Sequence, residues 1–284
     1  MKMKAKFSIL AVLASVFSVQ GGASIAKYLF HLLGPGGAVT LRVGIAGIIL
    51  ACVHRPPLRH FRWHHWKWVV LYGFSIGAMN TVYYYGIQRV PLGVAVTIEF
   101  TGPLGLALLS SRRATDFLWA FLAALGIVLI VPWSGSSADG LDPLGLALVF
   151  CAGLLWALYI VSTNRITRIM RSSDAVTLGM CIAALVVLPA GLLSGDLFHL
   201  NAKLLLIGLG VAVFSSVLPF SLDLLAMKGL KAKTFSILMS LEPAVAALSG
   251  FVFLGERLTA LQCLAMLCVI VASAGATQTQ NHKK

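Results

Sequence analysis

Four charged side chains interrupt long apolar stretches of this sequence, and they are the residues best suited to do chemistry. Arg42, Glu99, Lys27 and Glu242 each lie among apolar neighbours. A charge at the centre of a bilayer costs about 2.5–3.5 kcal/mol even on the most lenient scale, so each such charge needs a reason. An acid and a base that face one cavity would bind the ammonium and carboxylate ends of a zwitterion.

Glu99 is predicted to lie about two turns from one end of a membrane helix. Ala95 and Gly102 share its helix face and leave space beside the carboxylate. Pro103 cannot donate a hydrogen bond to the carbonyl of Glu99, so we expect a freed carbonyl and a kink there. The position suits an ammonium or proton site. The alternative is a structural ion pair with Arg42 or Lys27.

Two basic residues have similar alternatives. The planar fork of Arg42 suits a substrate carboxylate, but a buried ion pair with Glu99 is equally consistent with the sequence. Lys27 could extend to the membrane interface. Against this, Gln20, Ser24 and Lys27 fall at helical spacing on one face. A polar face on a membrane helix indicates contact with protein or water rather than lipid.

Glu242 is followed by Pro243 and is expected near the middle of its helix, where it serves either in coupling or in a packing hydrogen bond. Two aromatic-polar stripes could line a cavity or simply pack between helices. They are Asn80, Tyr84 and Gln88 on one helix, and Trp156, Tyr159 and Thr163 on another.

The remaining acids have simpler interpretations. Asp223 is expected at the membrane interface, and Asp116 and Glu256 are expected to interact with the N-termini of the helices that they begin. The sequence contains no HExxH motif and no phosphate-binding loop, which disfavours a metalloprotease or an ATP-driven pump, and we expect a protein that is not an enzyme. We expect no metal, no cofactor and no nucleic-acid partner.

The elements that position these residues are long apolar helices. Hydrophobic residues make up 59% of the 284 residues and charged residues 11%, less than half the share of about 25% that is typical of soluble domains. The apolar runs are continuous rather than alternating, which indicates helices and not barrel strands. At about 20 residues per span, the chain has room for about ten. We predict an all-α integral membrane protein with ten transmembrane helices at 7–31, 36–53, 67–89, 92–111, 115–133, 143–163, 175–193, 202–225, 233–254 and 259–276.

Basic residues orient these spans. With the N-terminus in the cytoplasm, seventeen of the 22 lysines and arginines fall in cytoplasmic segments, and only Arg89, Lys203 and Arg257 fall in outer loops. Cytoplasmic loops are enriched in Lys and Arg. We therefore predict a multi-pass protein of the bacterial inner membrane with both termini in the cytoplasm. It lies in the lipid bilayer as a monomer or a dimer.

The two halves of the sequence resemble each other. An offset of 140 residues pairs Pro103 with Pro243 and Asp116 with Glu256, and an offset of 137 pairs 39–46 with 176–183. Each copy holds five spans, and because five is odd the second copy is inverted. Inverted repeats are typical of transporters whose site lies at mid-membrane between the copies. We predict a first repeat at 1–137, an inverted second repeat at 138–276 and a polar tail at 277–284.

Several motifs extend over nearly the whole chain. The more specific are Gln-Gly-Gly-Ala-Ser at 20–24 and Glu-Phe-Thr-Gly-Pro at 99–103; weaker pieces lie at 90–93, 110–113, 238–240, 242–243 and 253–256. In these motifs the sequence resembles the threonine/homoserine exporters of the drug/metabolite transporter superfamily, of EamA type. Residue 223 departs from the resemblance, because an aspartate stands where a glutamate is expected.

The resemblance implies export of threonine and homoserine, small neutral amino acids, across the inner membrane against proton entry. It also implies a central cavity that opens to one side at a time. We expect Glu99 or Glu242 to alternate between a protonated form and a form that engages substrate. The alternative is a transporter, in either direction, of another amino acid, a metabolite or a drug, because this fold serves many substrates.

Overall fold

The computed structural model describes residues 5–56, 63–109, 114–130, 141–195, 197, 200–230, 235 and 238–280. Every regular element in these ranges is helical. The helices are α1 (Ala5–His54), α2 (Trp63–Ile87), α3 (Leu92–Glu99), α4 (Thr101–Leu109), α5 (Ala114–Ile130), α6 (Pro143–Ile166), α7 (Ser172–Leu193), α8 (Ala202–Ala212), α9 (Leu218–Gly229), α10 (Glu242–Leu254) and α11 (Ala260–Gln280), with a π-helical segment, Val213–Val217, between α8 and α9.

These helices form the ten predicted spans. Gly34 has non-helical backbone angles (φ 57°, ψ 172°) and precedes Pro35, so α1 is two spans with a sharp break between them. Span 4 is α3 plus α4, and span 8 is α8, the π-helical segment and α9. Five spans are long and apolar enough to cross a membrane by length and composition alone. The predicted fold, an all-α membrane protein of ten helices, is confirmed.

Two helix ends differ from the prediction. Span 9 was expected to run through Glu242, but α10 begins at this residue after a turn at Ser240 and Leu241. Proline is favoured in the first turn of a helix, so Pro243 starts α10 instead of kinking it. The helix of span 10 continues to Gln280, four residues into the predicted polar tail.

Helices of the first half pack mainly on helices of the second. The second arm of α1 lies against α7, where Thr40 Oγ1 donates to the carbonyl of Val187 at 2.9 Å. Likewise α3 packs on α10, and α5 packs on α11. These are spans 2 with 7, 4 with 9, and 5 with 10, the pairs that an offset of five relates. A helix that contacts its own counterpart lies beside the axis that relates the two copies, and the inversion of the second copy stays a prediction. The predicted boundary between 137 and 138 lies outside the described residues.

A pair of glycines on α2 brings the halves into close contact. A Cβ on Gly73 would lie 2.7 Å from the carbonyl oxygen of Gly179, and one on Gly77 would lie 2.9 Å from that of Ala183. Small residues at this spacing allow two membrane helices to approach closely. This glycine pair therefore packs α2 against α7 within one chain.

Candidate functional site

Neutral side chains hold Arg42 in the interior. This buried residue on the second arm of α1 donates from Nη2 to Asn80 Oδ1 on α2. The Asn80 amide is itself oriented, because Nδ2 donates to the carbonyl of Ile76 at 2.8 Å. The ring of Tyr84, one turn further along α2, has its centroid 5.0 Å from the guanidinium carbon of Arg42. The amide and the ring thus fix the guanidinium, and no carboxylate neutralises its charge by direct contact.

Glu99 is buried within electrostatic reach of Arg42 but is not bonded to it. In the described part of the chain, the ion pairs within 4.0 Å are Lys27–Glu256 and Arg89–Asp142. The structural ion pair that the sequence allowed between Glu99 and Arg42 or Lys27 is therefore not formed. An acid and a base face each other at the centre of the protein without direct contact.

The helix break after Glu99 follows from Pro103. Helix α3 ends at Glu99 and α4 begins at Thr101, and the next turn is closed by Leu104, whose N–H donates to the carbonyl of Phe100. The carbonyl of Glu99, which proline cannot satisfy, faces α6, where a Cβ on Gly153 would lie 2.7 Å from it. The interruption and the freed carbonyl are both present, whereas the expected sharp kink is not, because Phe100 keeps near-helical backbone angles (φ −61°, ψ −17°).

Glu242 lies in the same buried cluster. Its charge interacts with those of Asp223 and Glu99. Tyr83 on α2 is buried within electrostatic reach of Glu99, Glu242 and Arg42, so α1, α2, α3 and α10 contribute to one charged region. The two carboxylates that the sequence proposed separately therefore lie within electrostatic reach of each other.

Asp223 was underestimated by sequence reasoning. Its Oδ1 is buried without a hydrogen-bond partner, and its charge reaches both Glu242 and Tyr159. The residue extends the cluster toward the predicted cytoplasmic side, where the sequence suggested only an interfacial aspartate. The apolar residues around Asp223 could have indicated a buried carboxylate. The sequence interpretation placed Asp223 at the interface because it lies close to the predicted end of span 8.

The polar residues of the first span, Gln20, Ser24 and Lys27, do not all contact the same part of the protein. Gln20 and Ser24 are buried, and Ser24 Oγ donates to the carbonyl of Gln20 at 3.0 Å. Lys27 instead binds Glu256 at 2.6 Å and the carbonyl of Val90 at 2.8 Å, away from Glu99.

The predicted role of Glu256 at its own helix is wrong. Helix α11 begins four residues later, and Thr259 and Gln262 cap it reciprocally: Thr259 N–H donates to Gln262 Oε1, and Gln262 N–H donates to Thr259 Oγ1. This capping box already satisfies the N-terminus of α11. Glu256 is therefore available to another helix, and it accepts a hydrogen bond from Leu92 N–H of α3.

The second aromatic stripe forms a wall beside the site. Trp156 meets the ring of Phe100, the residue after Glu99, edge to face at 5.0 Å. Tyr159 stacks on Tyr72 of α2 at 5.4 Å. Both side chains are partly buried, so they join α6 to the spans that carry the charges.

Three buried polar atoms of candidate residues have no hydrogen-bond partner. They are Gln20 Oε1, Arg42 Nε and the Tyr84 hydroxyl. A buried polar atom left unsatisfied costs about 1–3 kcal/mol, so such atoms call for a polar ligand or water. One acceptor, one cationic donor and one hydroxyl suit a small polar ligand. Within the described residues, no group of three or more His, Cys, Asp or Glu side chains could hold a metal ion.

The EamA-like transporter family matches residues 6–132 and 143–278, one match in each half of the chain. The chain belongs to the EamA-like transporter family. It is thus a multi-pass membrane transporter and not an enzyme, and the charged cluster contains residues from both EamA matches.

Named relatives extend over nearly the whole chain. The chain is 42% identical over 278 residues to "Threonine/homoserine exporter RhtA" of Escherichia coli K12, covering 98% of this chain and 94% of the relative. The same-named protein of Salmonella typhimurium LT2 is 43% identical over 280 residues, with the same coverage. A crystal structure of a protein with 17% sequence identity matches with a TM-score of 0.57, and the match covers 99% of this chain and 100% of the other chain. This likeness supports the fold alone.

Proposed function

We propose that this EamA transporter exports small neutral amino acids, threonine and homoserine among them, across the inner membrane by alternating access. The observation that carries the proposal is the unpaired juxtaposition of Arg42 and Glu99. A buried guanidinium is held by a neutral amide and a ring, and a buried carboxylate stands within its electrostatic reach. The names of the relatives support the choice of threonine and homoserine.

The charge arrangement fits a zwitterion. Neither buried charge is neutralised by direct contact with a protein group of opposite charge, and uncompensated buried charges are costly. A substrate carboxylate on Arg42 would use the free Nε, and a substrate ammonium on Glu99 would neutralise the acid. Binding of one small amino acid therefore compensates both charges together.

Proton coupling follows from the same acid. A carboxylate cannot hold a proton and an ammonium group together, so protonation of the acid that binds the ammonium, Glu99 or alternatively Glu242, would release substrate. Because Glu242 interacts with Glu99 and with Asp223, a proton that enters from outside has successive acceptors toward the cytoplasm. Movement of one repeat against the other would expose the site to each side in turn.

The test is efflux from proteoliposomes. We expect export of labelled threonine and homoserine that is accelerated by an opposing proton gradient. Threonine should compete with the label, whereas threonine amide, which lacks the carboxylate, and N-acetylthreonine, which lacks the ammonium, should compete at least about tenfold less well.

Two variants assign the ends of the substrate. Arg42→Gln should erase the preference for threonine over its amide, and Glu99→Gln should erase the preference for the free ammonium and flatten the dependence of efflux on pH. If Glu99→Gln leaves efflux and its pH dependence unchanged, Glu99 has no such role. Absence of threonine and homoserine efflux would retain the carrier but assign it another amino acid, a metabolite or a drug.

A further inference from the structure

Both ion pairs within 4.0 Å in the described residues lie at the predicted outer face, and each joins the first repeat to the second. Lys27 Nζ lies 2.6 Å from Glu256 Oε1, and Arg89 Nη1 lies 2.8 Å from Asp142 Oδ2. If one repeat moves against the other, contacts of this kind at one face must break when that face opens.

The Lys27–Glu256 pair is part of a larger network. Lys27 also donates to the carbonyl of Val90 at 2.8 Å, and Glu256 Oε2 accepts from Leu92 N–H at 2.7 Å. Helix α3 begins at Leu92, and its preceding residue, Pro91, provides no side-chain cap. Glu256 of the second repeat therefore caps a helix of the first, where the helix dipole favours a carboxylate.

The turn after α10 is built to present Glu256. Gly255 adopts a left-handed conformation (φ 66°), and the N–H groups of Gly255 and Glu256 both donate to the carbonyl of Gly250, that of Glu256 at 3.1 Å, which closes the C-terminus of α10. Glycine takes this conformation without strain. The Glu256 carboxylate also folds over Gly250, where a Cβ would collide with it. The Leu-Gly-Glu motif thus directs one carboxylate onto the end of α3.

The second ion pair is a weaker contact. The side chains of Arg89 and Asp142 are 40% and 34% exposed, against 18% and 13% for Lys27 and Glu256. The hydrogen bond from Arg89, with another from Leu144 N–H, lowers the pKa of Asp142. Such exposed pairs contribute little, so Arg89–Asp142 serves as a matched control at the same face.

We propose that the contact of Lys27, Glu256 and Leu92 is the outer gate of the transport cycle. The proposal rests on the alternating access proposed above. Helix α3 runs from Leu92 at the gate to Glu99 in the site, a distance of two turns. Release of Glu256 frees the outer end of the helix that carries the site carboxylate, so opening of the gate and access to the site are one movement.

Outside labelling of a buried cysteine measures the gate directly. Ser24 lies one turn inside Lys27 and is 1% exposed, so Ser24→Cys reports opening from the outer side. Cells carrying this variant are treated with a membrane-impermeant maleimide, and the chain with Ser24 intact supplies the background of the five native cysteines. Adding Glu256→Gln keeps an oxygen for Leu92 N–H but removes the charge. We expect labelling to become about threefold faster or more.

Two further variants make the result specific. Arg89→Gln, on the exposed pair, should leave the labelling rate within about twofold of the parent. The charge exchange Lys27→Glu with Glu256→Lys restores an opposite-charge pair but removes the acceptor for Leu92 N–H, so it should slow labelling only part of the way back toward the parental rate. The gate is overturned if Glu256→Gln protein, present in the membrane at the parental level, labels no faster, or if Arg89→Gln has the same effect.

Poor accumulation of one variant does not prevent the test. Lys27→Gln removes the opposite charge and leaves the cap of α3 intact, and it should accelerate labelling as Glu256→Gln does; unchanged labelling in Lys27→Gln also overturns the gate. Labelling requires no substrate. A negative efflux result with threonine would therefore contradict the proposed substrate, whereas a negative labelling result would contradict the gate.

Discussion

The side-chain amide of Asn80 links the backbone of α2 to the guanidinium of Arg42. Its Nδ2 is committed to the backbone of its own helix, so its Oδ1 faces the guanidinium. A neutral acceptor at this position holds Arg42 and leaves the positive charge for a ligand. A carboxylate here would hold the side chain equally well but would compete with that ligand.

Asn80→Asp is therefore expected to raise the KM for threonine at least about tenfold with a smaller effect on kcat, because a binding contact is lost. The preference for threonine over its amide should fall in parallel, which a general loss of structure would not produce. Thr81→Val is the control, since Thr81 bonds only to the backbone of its own helix, at Gly77. Proteoliposome kinetics decide the matter, and an unchanged KM in Asn80→Asp would remove Asn80 from the site.

At this scale, sequence reasoning proposed candidate residues, whose role stays a prediction, but it could not predict their partners. Arg42, Asn80 and Glu99 were all predicted, yet the sequence allowed Arg42 to pair with Glu99 as readily as with a substrate. Which neighbour it meets depends on the register between α1 and α2, and packing far from the site determines that register. The same limit explains Glu256, whose partner lies 164 residues away in the chain.

Among the elements, the broken span 4 shows most clearly what sequence can predict. Pro103 predicted the interruption, because a missing donor is a local property of the chain. The glycine contact that accommodates the broken helix was not predicted, because it lies on α6. A Cβ on Gly102 would collide with the carbonyl oxygen of Gly153, so α4 and α6 touch through their backbones.

Gly102→Ala should consequently destabilise the protein, because backbone atoms cannot move aside as a flexible side chain can. Overpacking of this kind costs about 1–3 kcal/mol, and we expect the melting temperature of the purified protein to fall by several degrees. Gly105→Ala is the matched control on the same helix, since a Cβ there meets nothing within 4 Å. Equal melting temperatures for the two variants would contradict the close contact of α4 with α6.

The π-helical segment of span 8 explains part of the Gln-Gly-Gly-Ala-Ser motif at 20–24. A Cβ on Gly22 would collide with Ser215 in the π-helical segment of span 8, and Ser18 Oγ donates to the carbonyl of Phe214 at 2.6 Å. π-Helical turns often occur at functional sites. Sequence alone could not reveal this segment, because its irregular turn is defined only together with the first span.

In the whole molecule, the span count and the repeat were predictable because both depend on periodic and compositional signals. Continuous apolar runs determine the number of helices, and matched prolines and acids reveal the two copies. The contacts between spans 2 and 7, 4 and 9, and 5 and 10 then follow from an axis that relates the copies. The identity of the cargo has no such signal, since it depends on a few side chains between the copies.

An inverted repeat of five spans predicts that residue 137 and the C-terminus lie on opposite sides of the membrane. Five spans separate the N-terminus from residue 137, so a fusion placed there should lie outside the cytoplasm, while a fusion after residue 284 should lie inside. The basic residues of the loops predict the same orientation.

Alkaline phosphatase is active only outside the cytoplasm, and green fluorescent protein fluoresces only inside it. We therefore expect phosphatase activity without fluorescence at 137, and fluorescence without phosphatase activity at 284. The same behaviour at both positions would mean that an even number of spans lies between residues 137 and 284, so the second copy would not be an inverted set of five spans. Without that inversion, Lys27 and Glu256 would no longer share the outer face of an inverted pair.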